Sequence, residues 1–344
     1  MDQIERRIKG LTKLGDWLRE FCGKHPIGDE ELAVKLYTQQ IHNPWLIEPF
    51  GVKALNLWAT RLAPESLYSY VSKFSRLQDK RQEKHVAVIP EENIPLAGVH
   101  DLIAILLTGH HFYCRNVNHE HDLLQFLTDK LISFEPELKE FIHWGAFSKK
   151  VDTYLLHSKP GNDTALLSYF EQKRSLIRQK RISIGIISDT DGTDDFKRFG
   201  SDIFIFFGLG NFSVRKIFVP RNFSLPLFFE AIEEYFWLYQ YNRYANNYDY
   251  HKSVFMMDLI PFFDNGFLVL RESSELHVPL GCLYFEYYDT KEDVQKKVDS
   301  IESGIQQIVT NLPRFPNAIK PGMAHEYQLW DYADHQDSLQ FLLE

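Results

Sequence analysis

By residue type, the groups in this chain that could do chemistry are thiols, paired imidazoles and a glycine-hinged turn with an amide at its tip. The thiols are Cys22, Cys114 and Cys282. An odd, irregularly spaced set is neither a disulfide framework nor a metal-ligand pattern. It points to a reducing compartment, and the cytoplasm is the expected location. Histidines come in groups, His110 with His111 and His119 with His121. A His-x-His spacing can aim two imidazoles from a strand, but no second pair stands at zinc-pattern spacing. No metal is expected, and a surface or core-satisfied role is the stronger reading for these rings. The sequence contains no HExxH, GxSxG or Walker lysine loop.

The turn is Phe207-Gly208-Leu209-Gly210-Asn211-Phe212-Ser213, between two apolar runs. Glycines there permit positive φ or the close approach of a ligand to the backbone, although a plain tight turn has the same composition. Two tracts are dense in hydrogen-bonding side chains, 244–250 (YANNYDY) and 329–334 (LWDYAD). Buried amides and phenols must find partners, so these are structural knots or ligand contacts. Lys173, Arg174, Arg178, Lys180 and Arg181 form a basic cluster. It reads as a solvated helix face ahead of a phosphate contact.

The elements that must hold these groups follow from periodicity. Ile4, Ile8, Leu11, Leu14, Leu18 and Phe21 recur at helical spacing over 4–21, and a second helix covers about 30–41. Residues 85–90 (HVAVIP) form a short β-branched run closed by proline, which reads as a buried strand. Beyond it the pattern predicts helix to Leu107, helix at 122–134, strand at 151–156, helix at 164–173 and strand at 182–187. Such alternation indicates βαβ units on a mostly parallel sheet. Past the polar cluster at 188–195, residues 203–219 read as two strands around the small-residue turn. A helix at 225–238, strands at 267–270 and 282–287, and a helix at 290–311 complete the reading.

The chain has 344 residues, 44% hydrophobic and 15% aromatic, enough for a sizeable core in two domains or one large one. Its formal net charge of −9 argues against general adhesion to nucleic acid or anionic membranes. No stretch approaches the ~18 apolar residues of a membrane span, and the N-terminus lacks a secretory h-region.

Several tracts together resemble one family. Gly200-Ser201-Asp202-Ile203, then FFGLG at 206–210, then Val214, Lys216 and IFVP at 217–220 resemble the nucleophile segment of bacterial fatty acyl-CoA reductases, the luminescence type among them. NIPLAGVHD (93–101), IRQKRIS (177–183), YANNYDY, IPFFDNGFLVL (260–270), YFEYY (284–288) and LWDYAD also match. The resemblance implies an α/β fold like that of aldehyde dehydrogenases. A Rossmann-type nucleotide-binding domain would be formed by 1–197 with 316–344 returning, and a smaller α/β catalytic domain by 198–315. It implies NADPH-dependent reduction of a fatty acyl thioester to aldehyde, through attack by a cysteine thiolate and then hydride transfer. It also places Asn93 in the catalytic site, and Gly208, Gly210 and Thr164 at the cofactor.

The chain departs from that pattern at three segments. Asn211 stands where the family has its cysteine, followed by Phe212 and Ser213 where Arg and Asn are usual. Glu91 and Glu92 replace a small Ala-Gly pair before Asn93, and a loop of small polar residues has become 157–164 (HSKPGNDT). An amide nitrogen is no substitute nucleophile. Cys114 and Cys282 read as ordinary buried thiols, and Ser213 would need a base such as His157 or one of His110–His121. The expectation is a catalytically degenerate protein that binds acyl-CoA or acyl-carrier protein, as a homodimer or with an intact paralogue, and that has weakened or lost NADPH binding. The alternative is an atypical reductase or acyl transferase working from a non-cysteine site.

Overall fold

A computed structural model describes residues 3–22, 29–79, 81–117, 119, 121–157 and 164–344. It divides the chain into two compact units, Met1–Lys180 with Gln328–Glu344, and Arg181–Tyr327.

In the first unit the strands are β1 (His85–Ile89), β2 (His111–Cys114), β3 (Ile142–Trp144), β4 (Thr153–His157) and β5 (Arg174–Arg178). They form a parallel sheet in the order β3-β2-β1-β4-β5. The helices are α1 (Gln3–Cys22), α2 (Glu30–His42), α3 (Glu48–Arg61), α4 (Pro64–Ser72), α5 (Val99–Thr108), α6 (Asp122–Phe134), α7 (Thr164–Glu171) and the terminal α12 (Ser338–Leu343). From β1 the chain winds outward through β2 and β3, then returns to β4 on the other side of β1. The carboxyl ends of β1 and β4 therefore flank a topological switch point, where open parallel sheets take their ligands.

The second unit holds β6 (Ile182–Ile186), α8 (Thr193–Phe204), β7 (Val214–Pro220), α9 (Leu225–Ala231), α10 (Asn242–Met257), β8 (Phe263–Asp264), β9 (Val269–Glu272), β10 (Cys282–Tyr288), α11 (Lys291–Ile301) and β11 (Ile305–Thr310). Its sheet runs β11-β6-β7-β10-β9-β8, with β8 antiparallel at the edge.

Four expectations need correcting. The break falls at 180/181 and 327/328, not 197/198 and 315/316. The reason is that β6 pairs with β7 and β11, and Ile319 bridges Val309, so both boundary segments belong to the second unit. The first apolar run of 203–219 is the buried end of α8 and a tight turn, with only Val214–Pro220 as strand. The expected helix at 290–311 ends at Ile301, and β-branched 305–310 pairs with β6 through a register shift that hides the alternation. The basic cluster holds strand β5, and Arg178 is 2% exposed.

Arg178 explains the matched tracts of this unit. Its guanidinium grips Asp101 of α5 through two hydrogen bonds of 3.0 and 3.1 Å, donates to the Ser338 hydroxyl, and reaches the Gln336 carbonyl at 3.3 Å. Tyr332 lies 5.5 Å from its charge and shares a hydroxyl hydrogen bond with Tyr70. Asp334 accepts from the Gln179 amide at 2.8 Å. Three tracts far apart in sequence thus meet at one buried ion pair. Arg178→Ala should lower stability by about 3–5 kcal/mol, because it strands a buried carboxylate. Denaturant titration checks this, and adding Asp101→Asn should restore part of the loss.

Candidate functional site

In the second unit the candidate site is the turn after α8. Phe206 (φ 54, ψ 35), Phe207 (φ 56, ψ 19) and Gly208 (φ 72) are consecutive left-handed residues. For each phenylalanine that conformation costs roughly 1–2 kcal/mol. Burial offsets it: the Phe207 ring packs 5.7 and 5.8 Å from Tyr241 and Tyr244, and Phe206 meets His325 edge-on at 5.4 Å. At Gly208 a Cβ would stand 2.9 Å from the Ile203 carbonyl oxygen. The backbone itself therefore demands glycine there, a sufficient reason for the residue without a cofactor. Gly210 accepts from the Ser213 amide at 3.0 Å and closes the next turn, with Asn211 inside it.

Asn211 is 6% exposed, and its backbone carbonyl accepts from the Ser183 hydroxyl of β6 at 2.9 Å. Phe212 stacks on Tyr327 at 4.1 Å. The Gln307 amide donates to the Phe212 carbonyl (3.2 Å) and the Ala324 carbonyl (2.9 Å), stitching the turn to the segment before Tyr327. That segment is held from its other side by Asp202, a fully buried carboxylate that accepts from the Gly322 and Ala324 amides at 2.7 and 2.9 Å. Burial outweighs those two bonds and pushes the Asp202 carboxyl up to about 7. The Ser213 hydroxyl is buried and has no hydrogen-bond partner among the described residues.

Gln307, His325 and Tyr327 went unmarked in the sequence reading. Asp202 had a legible signal, a charge on the apolar stripe of α8 beside Phe199 and Ile203, which requires a buried partner.

In the first unit, the loop after β1 carries Asn93. The buried Asn43 amide donates to the Glu92 carbonyl at 3.1 Å and to Asn93 Oδ1 at 3.2 Å. The bond to its oxygen orients the Asn93 amide and directs its NH2 away from Asn43. Glu91 and Glu92 are half-buried in the same loop. Thr164 opens α7, and the segment 158–163 that leads into it lies outside the described residues, as does the Thr164 side chain. His157 ends β4, where burial, then the Arg178 charge, brings its imidazole down to about 4.

Neither described free thiol is reactive: burial pushes both Cys114 and Cys282 up to about 12. His110 is buried, with Nδ1 facing the Lys84 amide at 3.2 Å and Nε2 facing the Leu342 carbonyl at 3.2 Å, so the neutral ring satisfies both. Among the described residues no group of three or more His, Cys, Asp or Glu side chains is placed to hold a metal ion. Nor, among them, is any helix long and apolar enough to cross a membrane.

A parallel sheet with a switch point, followed by a second, mixed sheet whose strained turn precedes a strand, has close structural counterparts. The chain has the aldehyde dehydrogenase fold. Aldehyde dehydrogenase 21 from Physcomitrella patens, in complex with the reaction product succinate, matches with a TM-score of 0.63 and 11% identity, over 100% of this chain and 84% of that one. The P. syringae indole-3-acetaldehyde dehydrogenase AldA, a cysteine-to-alanine mutant with NAD+ and IAA, matches with a TM-score of 0.59 and 12% identity, over 92% and 74%. AldC from Pseudomonas syringae, a cysteine-to-alanine mutant with NAD+ and octanal, matches with a TM-score of 0.58 and 11% identity, over 90% and 72%. No protein-family model matches the sequence, and no curated protein does.

The Asp202 carboxyl predicts a pH dependence. Its folded value of about 7 is above the ordinary 3.8, so the folded state binds the extra proton between them. The stability it contributes is full below 3.8 and is lost as pH rises through 7. Relative to Asp202→Asn, the natural chain should therefore lose stability as pH rises from 5 to 8, by at most about 1.4 kcal/mol per pH unit. Denaturation midpoints of the two proteins across that range give the slope. A constant offset would reflect only the acceptor that asparagine lacks.

Proposed function

We propose that this chain is a fatty acyl-CoA reductase relative that has left the thiolate mechanism and serves as a binding or partner subunit. Asn211 carries the reading. The family's first covalent step needs a nucleophile at this position, and a carboxamide nitrogen, delocalised into its carbonyl, cannot attack a thioester. Cys114 and Cys282 are neutral thiols near pH 7. Among the described residues Ser213 has no hydrogen-bonded base to activate its hydroxyl.

The ligand in this proposal is a fatty acyl thioester, on coenzyme A or an acyl carrier protein, with a nicotinamide nucleotide beside it. In support, four of the matched structures hold NAD+, and one of these also holds octanal. When bound, the nucleotide would supply hydride. The switch point and the oriented Asn93 amide suit a nucleotide and a carbonyl oxygen, while Glu91 and Glu92 oppose its phosphates. A like charge a few ångströms from a partly exposed phosphate costs on the order of 1–4 kcal/mol, so NADPH affinity should be weak. The functional assembly is a homodimer or a pair with an intact paralogue.

Incubation with a long-chain acyl-CoA followed by intact-mass spectrometry should show no acyl adduct. A long-chain acyl-CoA should nevertheless raise the thermal midpoint, since a ligand of the folded state alone stabilises it. Asn211→Cys should give little or no NADPH-dependent aldehyde, because Glu91, Glu92 and the 157–164 loop have changed as well. Robust aldehyde production by that single variant would overturn the reading. An adduct on the unaltered chain would too, and peptide mapping would then name the nucleophile.

A further inference from the structure

At the amino-terminal edge of the first unit's sheet, the edge away from Asn93, three imidazoles stack across three strands. His85 begins β1 and His111 begins β2, in register, with ring centroids 4.5 Å apart and planes 13° from parallel. His143 of β3 continues the stack, 5.5 Å from His111, and lies face to face with Tyr113 at 4.4 Å. Phe141 stacks on His111 at 4.9 Å, with the Arg7 guanidinium over that ring. The cluster belongs to neither the Asn93 loop nor the Asn211 turn.

Its hydrogen bonds distinguish the rings. His111 presents Nε2 to the Glu83 carboxylate at 3.1 Å and Nδ1 to the Glu140 carbonyl at 3.0 Å. His143 Nε2 lies 3.3 Å from the same Nδ1, and the His143 ring also bonds the Glu140 carbonyl. His85 Nδ1 meets the Tyr113 hydroxyl at 3.0 Å, a contact the neutral ring can accept. Protons on neighbouring rings would put like charges 4.5 to 5.5 Å apart.

We propose that the His85–His111–His143 ladder is a proton-sensitive latch on the edge strand β3, closed while the outer rings are neutral and released when either takes a proton. β3 is three residues long and pairs with β2 alone, so the His111–His143 contact adds to a short list of anchors, the buried Ile142 and the 2.8 Å bond from Trp144 to Thr128 among them. The remaining charged groups around the ladder are Glu83 ahead of β1, Lys150 and Asp152 ahead of β4, and Arg7 beyond Phe141. Asp152 accepts from the His85 amide at 3.4 Å. For His85 the carboxylates of Asp152 and Glu83 favour a proton, while the His111 and Lys150 charges oppose it. For His143 the charged groups are His111, His85 and Lys150, all opposing it. Burial first, and the His111 charge next, hold both outer rings below the ordinary imidazole value. A depressed histidine contributes stability above the unfolded value near 6.5 and loses it as pH falls below that.

Hydrogen–deuterium exchange of the full chain at pH 7.5 and 5.5, expressed as protection factors, tests the latch. Peptides covering 141–147 should lose several-fold protection at the lower pH, up to about tenfold per outer ring, while those covering β4 and β5 change little. His143→Phe keeps a ring in the stack and removes the proton site, so its loss should be under twofold. His85→Phe should weaken the pH response in the same direction and serves if the first variant fails to fold. No selective loss at 141–147 in the natural chain would overturn the proposal, as would an undiminished loss in the variants. An even loss across the unit would also overturn it, by placing acid sensitivity on the other buried histidines.

Discussion

Water is excluded from the contact between Arg178 and Asp101, and much of the first unit's geometry follows from it. A guanidinium and a carboxylate, 2% and 4% exposed at their side chains, are tolerable only if each is nearly saturated with partners. The partners come from wherever the chain can supply them: Ser338 and Gln336 near the C-terminus, and the face of Tyr332. Asp101 is the third residue of α5, where the helix dipole also favours a negative charge. α5 begins soon after Asn93, so the pair sets the direction in which the Asn93 loop must leave β1. His100, next in sequence, adds a stack on Tyr332 at 4.1 Å and a 2.6 Å bond to the Leu329 carbonyl. A segment that arrives after the whole second unit is thereby fixed to the first sheet.

Asp202 shows what the same side chain does without a cation. Burial pushes Asp101 up as well, but the Arg178 charge and the Ser338 hydroxyl outweigh it, and its carboxyl ends below the ordinary value. Asp202 has two backbone amides, which burial outweighs, and it ends near 7. The comparison separates solvation from pairing, since both carboxylates are buried and both are hydrogen-bonded. It also assigns them different work. Asp101 closes a unit permanently, whereas Asp202 holds the 322–324 backbone with a group that titrates near neutrality.

Much of the fold was legible because most elements obey their own periods. The helix at 122–134 matches its expected limits, and the strands at 85–90 and 182–187 each fall within a residue of theirs. What was hidden was hidden physically. Arg174 and Arg178 frame a strand whose buried positions alternate, but a buried arginine cannot be told from a solvated one by composition. The run at 203–207 is apolar at every position, because the end of α8 and the turn after it are buried on all sides, and period then carries no information. The register shift between Ile305 and Ile308 disguised β11 as the end of a helix. Of the candidate site, Asn211, Asn93 and Gly208 could be singled out by their place in motifs. Gln307 and Tyr327 could not, since their roles depend on long-range contacts that local pattern does not encode.

The turn at Asn211 keeps its strain although the residue it would present is no nucleophile. Left-handed phenylalanines at 206 and 207 persist only where the surroundings over-determine them, and here the surroundings are aromatic packing and backbone hydrogen bonds. Ser183 binds the carbonyl of residue 211, Gln307 the carbonyl of residue 212, and Asp202 the amides of the facing segment. These contacts hold the main chain and place no demand on which side chain residue 211 carries. A turn built this way can change the side chain at its tip without losing its shape. The same independence explains how an aldehyde dehydrogenase fold can survive at this turn with an amide at its tip. Any side chain that fits the same buried space leaves those main-chain contacts in place.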